Sequence, residues 1–173
     1  MKYSRNSMYK FSIFLLTFIF SVAITNNLHA QEVQQGDITV GGGLTLTTGV
    51  GSGGSAEIGV NAGGYYSITD EIRAGASLSL FFGDFSPTQF NIDGHYIFKN
   101  EDGLVLYALA GIGFWSWTFD LGPFGSTSVS TSGLNLGAGV EYDLGNFYLF
   151  GEPKLTTIGG TPINITGGVR FRL

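Results

Sequence analysis

The chain of 173 residues is long enough for one domain, and its 13 acidic and eight basic residues give a formal charge of −5. Charged residues make up only 12% of it, whereas a soluble domain usually carries about 25%. The chain contains no cysteine, which excludes disulfides, thiolate metal sites, cysteine nucleophiles and lipid-modified cysteines.

Residues 1–30 have the layout of a cleavable signal peptide. A basic start with Lys2, Arg5 and Lys10 precedes an uncharged apolar run, and "LHA" ends at Ala30 as a signal peptidase requires. The run of about 15 residues is shorter than the roughly 20 that a spanning helix needs. Residues 31–173 are therefore predicted to form the mature domain. They hold five basic and 13 acidic residues, and this charge of −8 argues against binding to nucleic acid.

Apolar residues after Gln31 recur at every second position, a pattern that predicts strands with two unlike faces. The first four predicted strands lie in "DITVGGGLTLTTGV", "EIGVNAGGYYSIT", "IRAGASLSLFF" and "QFNIDGHYIFK". In the third, for example, Ile72, Leu78 and Leu80 share one face, whereas Arg73 and Ser77 share the other. We expect this division into an apolar and a polar face to hold around the whole sheet.

The fifth predicted strand, "LVLYALAGIGFWSWTF", is apolar on both faces, so its orientation is not given by alternation. We predict that its outward side chains are Tyr107, Leu109, Trp115 and Trp117. The last three predicted strands lie in "GLNLGAGVEY", "FYLFGEPKL" and "TPINITGGVRFRL". Pro153 cannot donate to a ladder, and we expect it above the membrane, near the loop "TTIGGTP", rather than at a bulge.

Eight segments of about ten residues have the length that tilted strands need to cross a bilayer. Tight turns ("TDE", "NEDG", "DLGN") alternate with longer segments between them, as in an up-and-down barrel with short periplasmic turns. A soluble lipocalin-like barrel also alternates, but its polar face should be rich in charge, and here that face is mostly Gly, Ser, Thr and Asn. The sequence therefore predicts an all-β fold, an eight-stranded antiparallel transmembrane β-barrel behind a signal peptide.

Aromatic residues recur near the strand ends beside the tight turns, and around a barrel they would form an interfacial girdle. We predict that the girdle comprises Tyr66, Tyr96, Phe98, Tyr107, Tyr142 and Phe147. The final strand would present Val169, Phe171 and Leu173 to lipid and turn its two arginines inward. This strand must pair with the first, because an open edge is not tolerated in lipid.

Eight ionisable residues share the inward phase: Arg73, Asp93, His95, Glu141, Glu152, Lys154, Arg170 and Arg172. Buried charges must be paired, so we interpret them as an ionic network that plugs the lumen, with Glu141 paired to Arg170 or Arg172. A gated ion pathway is the alternative. Ser77 or Ser79 could form a Ser–His–Asp arrangement with His95 and Asp93, but we expect a structural network. One histidine after residue 30 and scattered carboxylates predict no metal site.

Residues 31–173 resemble the small eight-stranded outer-membrane β-barrel family, the opacity-like and porin-like domain. The signal ending "LHA", the eight alternating segments, "YALAGIGF" and the terminal "GVRFRL" carry this resemblance. It implies an outer-membrane location and a last strand that is read by the barrel insertion machinery. In this role Val169, Phe171 and Leu173 form the assembly signal, although the final residue is leucine where the family usually has phenylalanine.

Three classes of function remain open. The first is a structural or interaction role in the Gram-negative envelope, as a monomer in outer-membrane lipid with no cofactor. The second is a narrow porin-like channel for ions or very small solutes. The third is a lipid-modifying membrane enzyme, which is disfavoured because the loops are short and contain no histidine. We therefore predict no catalytic residue.

Overall fold

The computed structural model describes residues 32–50, 55–82, 87–120, 125–158 and 160–173. The predicted signal peptide, residues 1–30, lies outside these ranges. The described residues form eight strands: β1 (Ile38–Val50), β2 (Ser55–Ser67), β3 (Ile72–Phe82), β4 (Thr88–Glu101), β5 (Leu104–Asp120), β6 (Ser126–Asp143), β7 (Tyr148–Thr156) and β8 (Ile163–Arg172). Within the described ranges, no helix is long and apolar enough to cross a membrane.

The strands form a closed up-and-down barrel in sequence order. Each strand pairs antiparallel with the next, and β8 returns to β1, with Arg172 opposite Thr39 and Ile163 opposite Thr48. One end, called the short-turn end below, carries the connections 68–71, 102–103 and 144–147. The shortest of these is a two-residue turn in which Asp102 and Gly103 both have positive φ (53° and 76°), as a type I′ hairpin requires. The predicted fold is confirmed.

The apolar faces of the strands point outward and the polar faces point into the lumen. Leu44 of β1 and Leu134 of β6 are each 61% exposed on the outer surface, whereas Thr45 and Asn135 beside them are buried. This is the reverse of a soluble barrel, because an apolar outer surface is stable only against lipid or another apolar phase. The lipocalin-like alternative is therefore excluded.

The predicted orientation of β5 was wrong. Tyr107, Leu109 and Trp115 are 0%, 3% and 1% exposed and point into the lumen, where Trp117 also packs against Trp115. Tyr107 therefore does not belong to the aromatic girdle. The physical reason is that apolar side chains fill the two ends of this lumen. The inward side chains of β5 are therefore not polar along its whole length.

The remaining girdle residues lie at the short-turn end. Tyr66, Tyr96, Phe98 and Tyr142 are exposed on the outer surface. Phe147 lies in the turn before β7, and its ring is 6.1 Å from that of Phe171. Aromatic side chains at this height match the interfacial belts of membrane barrels.

Pro153 lies within β7, opposite Ile165 of β8, and not above the membrane as predicted. The ladder between β6 and β7 runs from Asn135 to Gly137 and resumes at Val140. This interruption accommodates a residue without an N–H group, because the missing donor falls where no ladder pair forms.

Replacing Phe171 with aspartate should reduce the amount of folded protein in the membrane. The residue faces outward at the short-turn end of β8, opposite Val40 of β1. A carboxylate near the interface costs only about 0–1 kcal/mol of stability, so the expected loss reflects a damaged assembly signal. Quantitative blotting of outer membranes measures it, with Phe171→Leu as the control. Normal accumulation of Phe171→Asp would contradict the proposed role of this strand.

Candidate functional site

The lumen is filled along its length by three kinds of side chain. Apolar residues, among them Ile97, Val105 and Leu109, occupy the short-turn end. Charged residues occupy the middle, and amides and hydroxyls follow above them. At the opposite end the rings of Phe81 and Trp115 stack with centroids 5.6 Å apart. The charged middle layer is the candidate site, because it brings together ionisable groups from five strands.

Glu141 of β6 holds two arginines. Arg73 donates to both of its carboxylate oxygens, through Nη2 to Oε1 at 2.7 Å and through Nη1 to Oε2 at 3.0 Å. Arg170 donates to Oε1 through Nη1. All three side chains are almost completely buried. A carboxylate in this position neutralises charge that the lumen could not otherwise accommodate.

Arg170 of β8 links this pair to a second carboxylate. Its Nη2 lies 3.0 Å from Oε2 of Glu152, and its Nη1 donates to the hydroxyl of Tyr107 at 3.0 Å. The Tyr107 hydroxyl in turn donates to Oε2 of Glu152 at 2.8 Å. The Arg170 guanidinium also lies over the ring of Phe150, 4.1 Å from its centroid, so its faces as well as its edges are engaged.

Lys154 and Asp93 complete the layer. Nζ of Lys154 is 2.9 Å from Oδ2 of Asp93 and 3.8 Å from Oε1 of Glu152. The amide of Asn135 donates to the other oxygen of Asp93 at 2.8 Å. Three cations (Arg73, Lys154, Arg170) thus face three anions (Asp93, Glu141, Glu152), so the layer as a whole is neutral.

His95 is held as a neutral imidazole by its neighbours. Arg73 approaches Nδ1 with Nη2 at 3.1 Å and Nε at 3.3 Å. Because arginine only donates, Nδ1 must accept, and the ring proton lies on Nε2. The ring is packed between Tyr65 and Tyr107, with centroids 4.7 and 4.4 Å away.

Above the charged layer, amides and hydroxyls bond to one another. Asn135 donates to Asn91 at 3.0 Å and accepts from Thr156 at 2.8 Å. Gln89 donates to Asn91 at 2.8 Å, and Asn91 donates to the hydroxyl of Ser77 at 3.2 Å. These strands are therefore joined across the lumen as well as through their ladders.

Inward-facing glycines make room for the large side chains of the layer. A Cβ atom at Gly139 of β6 would lie only 2.0 Å from Cζ of Tyr107, and one at Gly75 of β3 would lie 2.3 Å from Cδ1 of Tyr65. Each tyrosine therefore occupies the volume that a side chain on the neighbouring strand would need. The glycines fix where the tyrosines lie, and Tyr107 in turn orients Arg170 and Glu152.

Seven of the eight residues predicted for the ionic network lie together in this layer. The exception is Arg172, which lies 19% exposed at the short-turn mouth, with Nε 3.1 Å from Oδ2 of Asp37. The prediction that Arg172 joins the buried network was wrong, because its position near the end of β8 places it below the charged layer. Glu141 instead pairs with Arg73 and with Arg170.

Sequence reasoning missed Tyr65 and Tyr107 as members of the site. Glycines recur on the polar faces of β3 and β6, and this was the signal that large lumen side chains lie on the neighbouring strands. It also missed Val33, which is buried in the apolar cluster although it precedes β1. No alternation marks Val33, because it lies outside every strand.

The hydrogen bonds around His95 do not form a catalytic triad. Asp93 is bound by Lys154 and Asn135, and the Ser77 hydroxyl accepts from Asn91. The side chain that hydrogen-bonds to His95 is Arg73, which cannot act as a base. In the described part of the chain, no group of three His, Asp or Glu side chains could hold a metal ion. The arrangement favours charge pairing over nucleophilic chemistry.

No protein-family model matches the sequence, and a search of curated proteins finds no match. Solved structures do resemble it. Neisserial surface protein A is 16% identical with a TM-score of 0.66, over 79% of this chain and 97% of that one. The attachment invasion locus protein Ail of Yersinia pestis, in complex with the heparin analogue sucrose octasulfate, is 19% identical with a TM-score of 0.64, over 81% and 100%.

The N-terminal β-barrel domain of Pseudomonas aeruginosa OprF is 19% identical with a TM-score of 0.63, over 80% of this chain and 98% of that domain. All three similarities extend over nearly the whole of the compared barrel. Together with the closed eight-stranded sheet and its apolar outer surface, they show that the chain has the fold of the small eight-stranded outer-membrane β-barrels.

Proposed function

We propose that this protein is an integral outer-membrane barrel with a structural or interaction role in the cell envelope, and that its lumen is plugged. The observation that carries the proposal is the neutral charged layer in which Glu141 holds Arg73 and Arg170 at the centre of the barrel. Eight strands enclose an interior that side chains alone can fill. We further propose that it is a monomer without enzymatic activity, and that the insertion machinery places it in outer-membrane lipid.

The plug is supported by the close pairing of its charged groups. Each carboxylate of the layer contacts at least one cation within 3.0 Å. A charge that left this arrangement would enter a region of low dielectric without a partner, which is strongly unfavourable. Apolar layers at both ends of the lumen add to the barrier.

A narrow channel is the second candidate, and shared partners favour it. Glu141 contacts two arginines, and Glu152 contacts both Arg170 and Lys154. A cation could therefore move from one carboxylate to the other while remaining paired throughout. Such an exchange would open a thin path for water without the full cost of an isolated buried charge.

Cell fractionation tests the location. The protein should separate with outer membranes and, like a stable barrel, should run faster on SDS gels when it is unheated than after boiling. An outer-membrane barrel of known heat modifiability is the control for both steps. Recovery of the folded protein in the soluble periplasm would contradict the proposal.

Planar-bilayer recording separates the two candidates. Wild-type protein should give conductance near zero if the layer is a plug, because an ion could pass only by separating buried charge pairs. A known porin, purified and reconstituted in the same way, is the positive control for channel detection. A reproducible wild-type conductance would overturn the plug and favour the channel.

A further inference from the structure

Residues 32–37, here called the strap, cross the short-turn mouth of the barrel before β1 begins. At one end Asp37 precedes β1, and at the other Val33 lies against β4, which is three strands away in the ring of eight. The strap thus spans the opening instead of extending away from it. Its backbone is a tight turn, in which Asp37 N–H donates to the carbonyl of Gln34 at 3.1 Å.

Val33 is the only strap side chain that is buried. It is 1% exposed and packs inside the barrel against Ile97 of β4 and Val105, Tyr107 and Leu109 of β5. The side chains of Glu32, Gln34 and Gln35 are exposed. Because Val33 lies in the same apolar cluster as Tyr107, it covers the charged layer from below.

Asn100 of β4 holds Val33 at two points. Its Oδ1 accepts from the backbone N–H of Val33 at 3.0 Å, and its Nδ2 donates to the backbone carbonyl of Val33 at 2.8 Å. The side-chain amide of Asn100 therefore bonds to both the N–H and the carbonyl of Val33, as the backbone of a neighbouring strand would. This geometry holds the backbone of Val33 whatever its side chain, while the apolar cluster above the strap accommodates the valine side chain.

Further contacts fix the strap along its length: the Gln35 N–H donates to Oδ1 of Asp70 at 2.7 Å, and the Gln35 side-chain amide donates to the carbonyl of Ile68 at 3.0 Å. Gly36 has φ of 92° and donates to the carbonyl of Ser67 at 2.8 Å. Arg172 donates to the carbonyl of Glu32 at 3.1 Å and pairs with Asp37. Gly36 therefore provides a pivot next to β1, because a positive φ is available to glycine without strain.

We propose that the strap is a lid over the short-turn mouth, that it opens while the barrel stays folded, and that Asn100 is its latch. One buried side chain and a set of hydrogen bonds, several of them exposed to solvent, must offset the backbone entropy of the ordered strap residues. The strands, by contrast, are held by hydrogen-bonded neighbours on both sides. Segments with few buried contacts open locally well before the whole structure does.

The absence of cysteine from the chain permits a direct test by thiol labelling. In folded protein in detergent micelles, Val33→Cys should react slowly with a water-soluble maleimide, because the side chain points into the barrel. Gln34→Cys, one residue away and exposed, is the matched control and should react fast. Adding Asn100→Ala should accelerate labelling of Val33→Cys by about tenfold, the order expected when the partner of a buried polar group is lost. Labelling of Gln34→Cys should not change.

The unheated gel band reports in the same samples that the barrel is folded. Urea then separates local from global opening: labelling of Val33→Cys should proceed below the urea concentration at which the folded band is lost. Labelling that appears only with barrel unfolding would overturn the lid. Labelling as fast as that of Gln34→Cys would overturn the docked strap, and no effect of Asn100→Ala would overturn the latch.

Hydrogen exchange of the unsubstituted chain gives a second measurement that does not depend on the cysteine variants. The Val33 amide should exchange faster than ladder amides of β4, and Asn100→Ala should accelerate it further. Protection of the Val33 amide equal to that of the β4 ladder would show that the strap is a fixed part of the barrel, which would contradict the proposal.

Discussion

Replacing Glu141 with alanine should lower the free energy of unfolding by about 3–5 kcal/mol, because two buried arginines lose the carboxylate between them. Arg73 loses both of its short contacts to Glu141, and Arg170 keeps Glu152 as its carboxylate partner. Urea unfolding in detergent or lipid, followed by loss of the fast-migrating band, measures the change.

Glu101→Ala is the matched control for this substitution. Glu101 is also a strand carboxylate with a basic neighbour, but it is exposed and its contact with Lys99 is 4.0 Å long, so the expected change is about 0–1 kcal/mol. An unchanged unfolding midpoint for Glu141→Ala would contradict the importance of the buried pairs. Conductance that appears in Glu141→Ala, but not in Glu101→Ala, would show that the pairs also block ion passage.

Replacing Gly139 with alanine should destabilise the barrel by about 1–3 kcal/mol, the usual cost of overfilling a packed interior. The new methyl group would overlap the ring of Tyr107, whose Cζ and hydroxyl lie 2.0 and 2.2 Å from the Cβ position. Tyr107 must then move away from Arg170 and Glu152. The same urea titration measures this effect.

Gly151→Ala on the neighbouring strand is the control for Gly139→Ala. Gly151 faces the outer surface, and its Cβ atom would make an ordinary contact of 3.7 Å with Val140. We expect no loss of stability there, and a small gain is consistent with the lower entropy of the unfolded chain. Equal effects at the two positions would show that the close approach of Tyr107 does not restrict residue 139.

Alternation was sufficient to predict the eight strands and the outward face of seven of them, and the alternation of tight turns with longer connections predicted their pairing order. It works where one face meets lipid and the other meets polar groups, as at Leu78 and Ser77 of β3. It failed for β5, because Leu109 and Trp115 lie in the apolar ends of the lumen while Ile112 and Phe114 face outward. Both faces of this strand are apolar, so no contrast was available.

Alternation predicts which side chains point into the lumen, but it could not predict which of them contact one another. Arg73 and Glu141 are 68 residues apart and lie on strands that are not neighbours. Their contact depends on the stagger of the strands around the barrel, which alternation does not encode. Arg170 lies in the charged layer and Arg172 at the mouth, although both point inward, because Arg172 is the last residue of β8.

The close contact between Tyr107 and Gly139 also limits which amino-acid substitutions this barrel can accept during evolution. The space available limits the combined volume of the side chains at residues 107 and 139, but it does not fix the identity of either one. A larger residue at 139 is tolerated only after residue 107 has become smaller, so the two changes must occur in that order. Gly75 and Gly111 differ, because backbone carbonyl oxygens lie 2.3 and 2.2 Å from their Cβ positions, and a smaller neighbouring side chain would not make room there. Divergent relatives of this chain should therefore vary jointly at residues 107 and 139, whereas residues on the outward face should vary independently of one another.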